Sequence, residues 1–200
     1  MENNLNSLEI KRKILHILMG IIGIILLVYN ILNPLIIFII LILGIILSLL
    51  SFKIQIPFIS WFLDNFERQK DKNELPGRGL IFAVAGSLLV LQLFQKNIAL
   101  ASITILVFAD PVSYLIGKIF GKTKSVLDRT RNIEGHIAAA LIGSLLAMFF
   151  VPFYLSAIGT LTSMLFELLT IKIQNIKVDD NLIIPLAAGT AMFLITKFFV

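Results

Sequence analysis

The chain has no cysteine, so no disulfide can staple it and no thiolate can serve it as nucleophile or metal ligand. Charge is scarce too: 14% of its 200 residues are Asp, Glu, Lys or Arg, against about 25% in soluble domains. No P-loop, dinucleotide-binding glycine pattern, HExxH pair or GxSxG elbow occurs, which removes the soluble nucleotide-binding and hydrolase signatures. Apolar residues dominate instead, at 58% of the chain. This length predicts one domain, residues 1–200, and the apolar runs leave no room for a separate soluble one. The net charge of +5 does not indicate nucleic acid, because the cations flank apolar runs and therefore read as membrane topology.

About 20 apolar residues cross a bilayer as a helix. Seven segments qualify: Ile14–Tyr29, Pro34–Phe52, Gly79–Phe94, Ile98–Phe120, Ile137–Tyr154, Leu155–Ile173 and Leu182–Phe199. Each is too long for a barrel strand and lacks two-residue alternation, so the expected fold is all-α, a polytopic membrane helix bundle. The first run follows Lys11, Arg12 and Lys13 but no small-x-small cleavage site comes after it, so it reads as a retained span. With seven spans, the N-terminus and loops 53–78, 118–136 and 172–181 share one face and hold 15 of the 17 Lys and Arg. That bias places the N-terminus in the cytoplasm and the C-terminus outside. Small residues every fourth position, Gly135, Ala139, Gly143, Ala147 and Gly159, Ser163, mark expected helix seams, the second leading on to Glu167. The second span, nearly all Ile and Leu, is expected at the lipid-facing periphery.

The most informative stretch runs from Asp110 to Lys124. A carboxylate at the centre of a membrane helix costs at least ~2.5 kcal/mol, so its presence asks for a function. Ser113, Gly117 and Gly121 follow Asp110 on one helical face, and Lys118, Lys122 and Lys124 add cations at the water boundary. An acid able to bind metal, bare backbone and adjacent lysines suit a polyphosphate. Pro111 lacks an N–H and crowds an unbroken helix, so the fourth span is expected to kink or break between Val107 and Pro111, with Asp110 capping a short helix towards Phe120.

Three further groups lie on the same face. Glu9, Arg12, Lys13, His16 and Gly20 fall on one helical stripe, with Arg12 and Lys13 as phosphate binders and a local Glu9–Lys13 pair as the plain alternative. Arg131-Asn-Ile-Glu-Gly135 stands at the entrance to the fifth span with His136, and Glu134 suits that helix start. Asp179 and Asp180 open the last span; Asp180 or Asn181 is the expected cap, and a divalent cation would relieve the repulsion of the two acids.

Taken in order, Glu9-x-x-Arg-Lys-x-x-His-x-x-x-Gly20, Glu67-Arg68 with Pro76-Gly-Arg-Gly79, Asp110 through Gly117 with Gly121-Lys122, Arg131-Asn-Ile-Glu-Gly135, and Glu167 with Asp179-Asp-Asn-Leu-Ile-Ile-Pro185 span nearly the whole chain. This series resembles the polyprenol kinase family of membrane lipid kinases, which includes dolichol kinase, phytol kinase and CTP-dependent diacylglycerol kinase. Two departures stand out: Arg131-Asn132 where the family has lysine-serine, and Pro111-Val112-Ser113 where it has small residues.

The resemblance implies transfer of the γ-phosphate of a nucleoside triphosphate, typically CTP, to the hydroxyl of a lipid alcohol at the cytoplasmic face of the bilayer. It implies Mg²⁺ as cofactor, held by Asp110 with Asp179 and Asp180. Arg12, Lys13, His16, Lys122, Lys124 and Arg131 would bind the nucleotide, with Gly117 and Gly121 allowing close approach. Asp110, Glu134 and Glu167 would carry catalysis, Glu167 by accepting the alcohol's proton. Phosphatidate cytidylyltransferase has similar aspartate and Glu-Gly blocks, but its Lys-Asp and glycine-rich Asp-Arg tail are missing here. An ion-coupled transporter using Asp110 and Glu167 would need polar groups near the midplane, whereas the ionisable residues crowd one face.

Overall fold

Local chemistry sets the helix ends. Asn33 Oδ1 accepts the Ile36 N–H at 3.0 Å, and Pro34 stands at the first helical position, so helix α2 (Pro34–Ser51) starts sharply after α1 (Ser7–Val28). Pro57 likewise opens the short α3 (Pro57–Phe66), followed by α4 (Gln69–Glu74). Gly77 takes a left-handed φ of 76°, which other residues adopt only with strain, and turns the chain into α5 (Arg78–Leu93). The remaining helices are α6 (Lys96–Ile119), α7 (Ile133–Ala147), α8 (Phe153–Leu168) and α9 (Asp180–Phe199). A two-residue antiparallel pair, β1 (Lys172–Ile173) with β2 (Ile176–Lys177), joins the last two. The computed structural model describes residues 7–169, 172–173 and 176–199. Residues 170 and 171, in the end of the sixth expected span, lie outside that range.

A helix stands on each of the seven expected segments. α2, α6 and α9 are long and apolar enough to cross a membrane; α5, α7 and α8 are apolar but shorter. The boundary between the fifth and sixth segments differs from expectation. α7 stops at Ala147 and α8 begins at Phe153, because Pro152 cannot donate to a continuing helix and residues 148–150 close into a turn.

α6 is the centre of the bundle and packs against α1, α5, α7, α8 and α9. Its residues Ile98–Val107 are all buried. On one side Ile105, Ala109, Ala139, Met164, Ile184 and Met192 make a core with α7, α8 and α9. On the other, Leu27, Val90, Leu100, Ile103 and Val107 make a second core with α1 and α5. Buried hydroxyls are satisfied within the helices: Ser102 donates to the Ile98 carbonyl at 2.7 Å and Thr104 to that of Leu100 at 2.8 Å.

Of the kink or break expected at Pro111, no break forms. α6 runs unbroken from Lys96 to Ile119 with Pro111 buried inside it. Packing on all sides holds the segment helical at a proline that would disfavour it in isolation. Next to the missing hydrogen bond, His16 Nε2 lies 3.3 Å from the Leu106 carbonyl. Asp110 is therefore a side chain on a continuous helix, not the cap of a new one.

Gly135, Ala139, Gly143 and Ala147 are all buried, as are Gly159, Ser163 and Glu167, so both expected seams face protein. In α2 only Ile37 and Ser48 are buried. Outward-facing Leu18, Ile22, Leu43, Leu141, Leu145 and Leu165 are each between 51% and 63% exposed. An apolar exterior around a partly polar interior inverts the soluble pattern.

Candidate active site

α1 meets α6 along the expected stripe. At Gly20 any Cβ would run into the Val107 side chain, so only glycine lets the backbones come this close. One and two turns earlier, His16 reaches the Leu106 carbonyl and Lys13 Nζ lies 2.5 Å from Asp110 Oδ2. Asp110 is 8% exposed and needs that charge, because an unpaired buried carboxylate would be strongly disfavoured. The alternative, a local Glu9–Lys13 pair, is not what forms. Glu9 instead accepts from Arg12 at 3.0 Å and takes a two-pronged contact from Arg68, Nε at 2.6 Å and Nη2 at 2.9 Å. Burial opposes ionisation of Glu9, yet Arg68 and Arg12 together hold its carboxyl below the ordinary range.

Arg131 is the second hub. Its guanidinium contacts Glu167 Oε1 through Nη1, Asp180 Oδ2 through Nη2 at 2.7 Å and Asp128 Oδ2 through Nε at 3.5 Å. A planar fork can serve several carboxylates at once, which a lysine ammonium cannot do with the same geometry. Glu167 is 1% exposed and lies 3.4 Å from Ser113 Oγ, which donates to the Asp110 carbonyl at 2.9 Å. His136 Nε2 is 3.5 Å from the other Glu167 oxygen.

At the start of α9, Asp179 pairs with Arg78 at 3.3 Å and accepts the Asn181 N–H at 3.1 Å. Asp179, rather than Asp180 or Asn181, is thus the cap. Burial raises its carboxyl above the ordinary value, and neighbouring Asp180 adds to the effect. Asn181 Nδ2 donates to the Gly79 carbonyl at 3.1 Å, and the open side of Gly79 faces both Arg12 and Asn181. Hydrogen bonds and ion pairs thus run from Lys13 through Asp110, Ser113 and Glu167 to Arg131 and Asp180, and Asn181, next in the chain, bonds Gly79 on the side that faces Arg12, so this circuit of charged and polar groups draws on five helices and the loop before α7.

The other expected residues lie around this circuit. Glu134 Oε1 accepts the backbone N–H groups of Lys122 at 3.1 Å and Thr123 at 2.8 Å, so its carboxylate clasps the loop. The Lys122 and Lys124 side chains point outward at the rim, and Lys124 pairs its backbone with Asn132. Asn132 Nδ2 donates to the Gly117 carbonyl, which fixes the loop on α6. A Cβ on Gly121 would meet that carbonyl and Asn132, so the glycine permits the fold-back.

Asp128 takes part in the site without any signal in the sequence, and Arg78, Asn181 and Ser113, which the sequence marks only as part of a motif, a cap candidate and a neighbour on the Asp110 face, join it through specific contacts. Glu67, 6% exposed, takes part as well, and its Oε1 has no hydrogen-bond partner. Burial pushes its carboxyl up to about 7, against the opposing pull of Arg12. The Glu67-Arg68 step is visible in the sequence, but nothing there shows which of the two is buried.

Among the described residues no three acids or histidines gather as a ready-made metal cage. The donor set nevertheless fits Mg²⁺ arriving with a nucleotide, since that ion commonly takes one or two carboxylates plus phosphate oxygens and water. The acids Glu9, Asp110, Asp128, Glu167, Asp179 and Asp180 outnumber the cations Arg12, Lys13, Arg68, Arg78 and Arg131 that they pair with. A triphosphate entering a cluster whose acids are already in excess needs a divalent counter-charge.

No family model matches this chain, and no solved structure matches it. The chain is similar to a curated protein of Schizosaccharomyces pombe, CTP-dependent diacylglycerol kinase 1, at 26% identity over 145 residues. The match covers 64% of this chain and 64% of the relative's length.

Proposed function

We propose that the chain is a multi-pass membrane lipid kinase that transfers the γ-phosphate of CTP to the hydroxyl of a lipid alcohol. The observation that carries this reading is the circuit linking Lys13–Asp110 to Arg131–Glu167–Asp180 at one end of the bundle. It has the acids, the bidentate cation and the bare backbone that a triphosphate requires. Similarity to a CTP-dependent diacylglycerol kinase supports the nucleotide and the lipid class. In this reading the seven apolar helices α1, α2 and α5 to α9 cross the bilayer, with the N-terminus and the site cytoplasmic and the C-terminus outside. The Lys/Arg bias supports that orientation.

Each cation of the resting site is already matched with an acid. Binding a triphosphate then means an exchange of partners: Lys13, Arg12 and Arg131 turn to phosphate oxygens, and Lys122 and Lys124 close from the rim. Asp110, freed from Lys13, would hold Mg²⁺, with Asp179 and Asp180 as the further carboxylates; the ion would neutralise charge on the triphosphate. The lipid hydroxyl oxygen bonds to the γ-phosphorus, the bond from that phosphorus to the β–γ bridging oxygen breaks, and CDP leaves. Glu167 receives the hydroxyl proton, and the Ser113 hydroxyl stands beside that carboxylate.

The test is purified protein in vesicles, given labelled CTP or ATP with diacylglycerol, phytol or a polyprenol. Diacylglycerol stands first because of the relative's name. Appearance of CDP and a lipid monophosphate supports the reading. Release of pyrophosphate with a CDP-lipid would overturn it in favour of cytidylyl transfer.

A further inference from the structure

α3 does not belong to the bundle core, and its outward side is apolar and aromatic. Phe58 is 75% exposed and Trp61 56%. Their rings stack at 6.4 Å, and Trp61 meets the edge of Phe66 at 6.1 Å. Round the helix from Trp61 comes a polar edge, where Asp64 takes an ion pair from Lys72 at 2.8 Å. The opposite side rests on α1. A short helix with one aromatic side, one charged edge and flanking lysines has the composition of an element that lies on a bilayer.

Both ends of α3 are held at the level where apolar helices meet charged chain. Upstream, α2 ends at Ser51, and the six steps to Pro57 span no more than ~20 Å. There Ile46, Leu49, Leu50 and Phe52 line a shallow apolar groove that finishes at Lys53. Downstream, Arg68 clamps on Glu9, just ahead of the cations that open the first apolar run. A helix tied at both ends to the boundary runs along it.

We propose that α3 is an interfacial helix, its Phe58 and Trp61 seated between headgroups and acyl chains of the membrane, with Lys53 and Lys70 towards the phosphates of anionic lipids. The occupant of this surface is lipid rather than a partner protein, because α3 follows the outward-facing apolar α2 after a link of only a few residues and exposes aromatic rings of the kind that seat at a bilayer surface. The Arg68–Glu9–Arg12 chain then sets the depth of the ionic circuit at the headgroup layer. This placement rests on the membrane reading of the apolar helices and holds whether or not the chain transfers phosphate.

Trp61 is the only tryptophan in the chain, so its fluorescence reports α3 alone. The protein is reconstituted into phosphatidylcholine–phosphatidylglycerol vesicles and floated on a density gradient. Trp61 is then quenched with lipids brominated near the headgroup, lipids brominated near the chain end, and aqueous iodide. The expected result is quenching by the shallow bromolipid at least about twofold stronger than by either other quencher. Dominant iodide quenching in floated vesicles would overturn the placement while leaving membrane insertion intact. Stronger quenching by the deep bromolipid would overturn it too, because α3 would then be buried in the bilayer. Failure to float would remove both readings.

Discussion

The Lys13 ammonium sits 2.5 Å from the Asp110 carboxylate, joining α1 to α6 across 97 positions of sequence. Neither charge is well hydrated, with the two side chains 17% and 11% exposed. Each therefore depends on the other until a ligand offers new partners.

Asp110→Asn is expected to lower turnover by roughly 100-fold or more, the scale lost when a charge-stabilising group is removed from a reacting centre. It should also destabilise the protein by about 3 kcal/mol, because Lys13 is left buried without its counter-charge. Adding Lys13→Met should recover most of that stability and none of the activity. Thermal unfolding and CTP-dependent lipid phosphorylation measure the two effects separately. Near-normal turnover in Asp110→Asn would limit the aspartate to a structural role.

Glu67 predicts a stability change with pH. Its carboxyl rises from its ordinary 4.5 to about 7 on burial. Between those values the folded chain holds a proton that the unfolded chain has lost, so stability falls as pH rises through this window and levels off above about 7. Each tenfold difference in proton affinity between the two states is worth about 1.4 kcal/mol, so the whole fall is on the order of 3 kcal/mol. Glu67→Gln should flatten this part of the profile and raise the melting temperature at pH 8. Identical pH profiles for the two proteins would show that Glu67 ionises freely.

Gly135→Ala should fail where a nearby control succeeds. Its Cβ would meet the Ser113 carbonyl and lie 2.9 Å from Gly117 Cα, and backbone cannot move aside as a side chain does. A loss of about 2–3 kcal/mol, or of folded yield, is expected. Gly23→Ala in α1 meets nothing within 4 Å and should be neutral or slightly stabilising. Parallel melting curves in detergent decide it.

Arg131→Ala leaves Glu167, 1% exposed, without its main counter-charge and should cost about 3–5 kcal/mol. Pairing it with Glu167→Gln should cost less than the two single changes added together. A double-mutant cycle by denaturant unfolding measures the coupling, and strict additivity would contradict the contact.

Much of the fold is legible in the residues. Runs of Ile and Leu mark seven helices, and small residues every fourth position mark the sides of α7 and α8 that face protein. Both signals are local, since a helix repeats its face about every four residues and lipid rewards apolar length. The break expected at Pro111 fails for the converse reason: proline's penalty is local, whereas the contacts that hold α6 together come from α1, α5, α7, α8 and α9.

For the site, the residue order alone settles the inventory: which acids and cations exist, and that most of them crowd one end of the apolar runs. Who meets whom came from the packing of the helices. Glu9 turns from Lys13 to Arg12 and Arg68, Lys13 turns to Asp110, and Arg131 reaches three acids of which two lie in other helices. Helix periodicity assigns a residue to a face but cannot say which face of another helix will oppose it. Ion-pair energy depends on separation and burial, and both are set by how the helices pack.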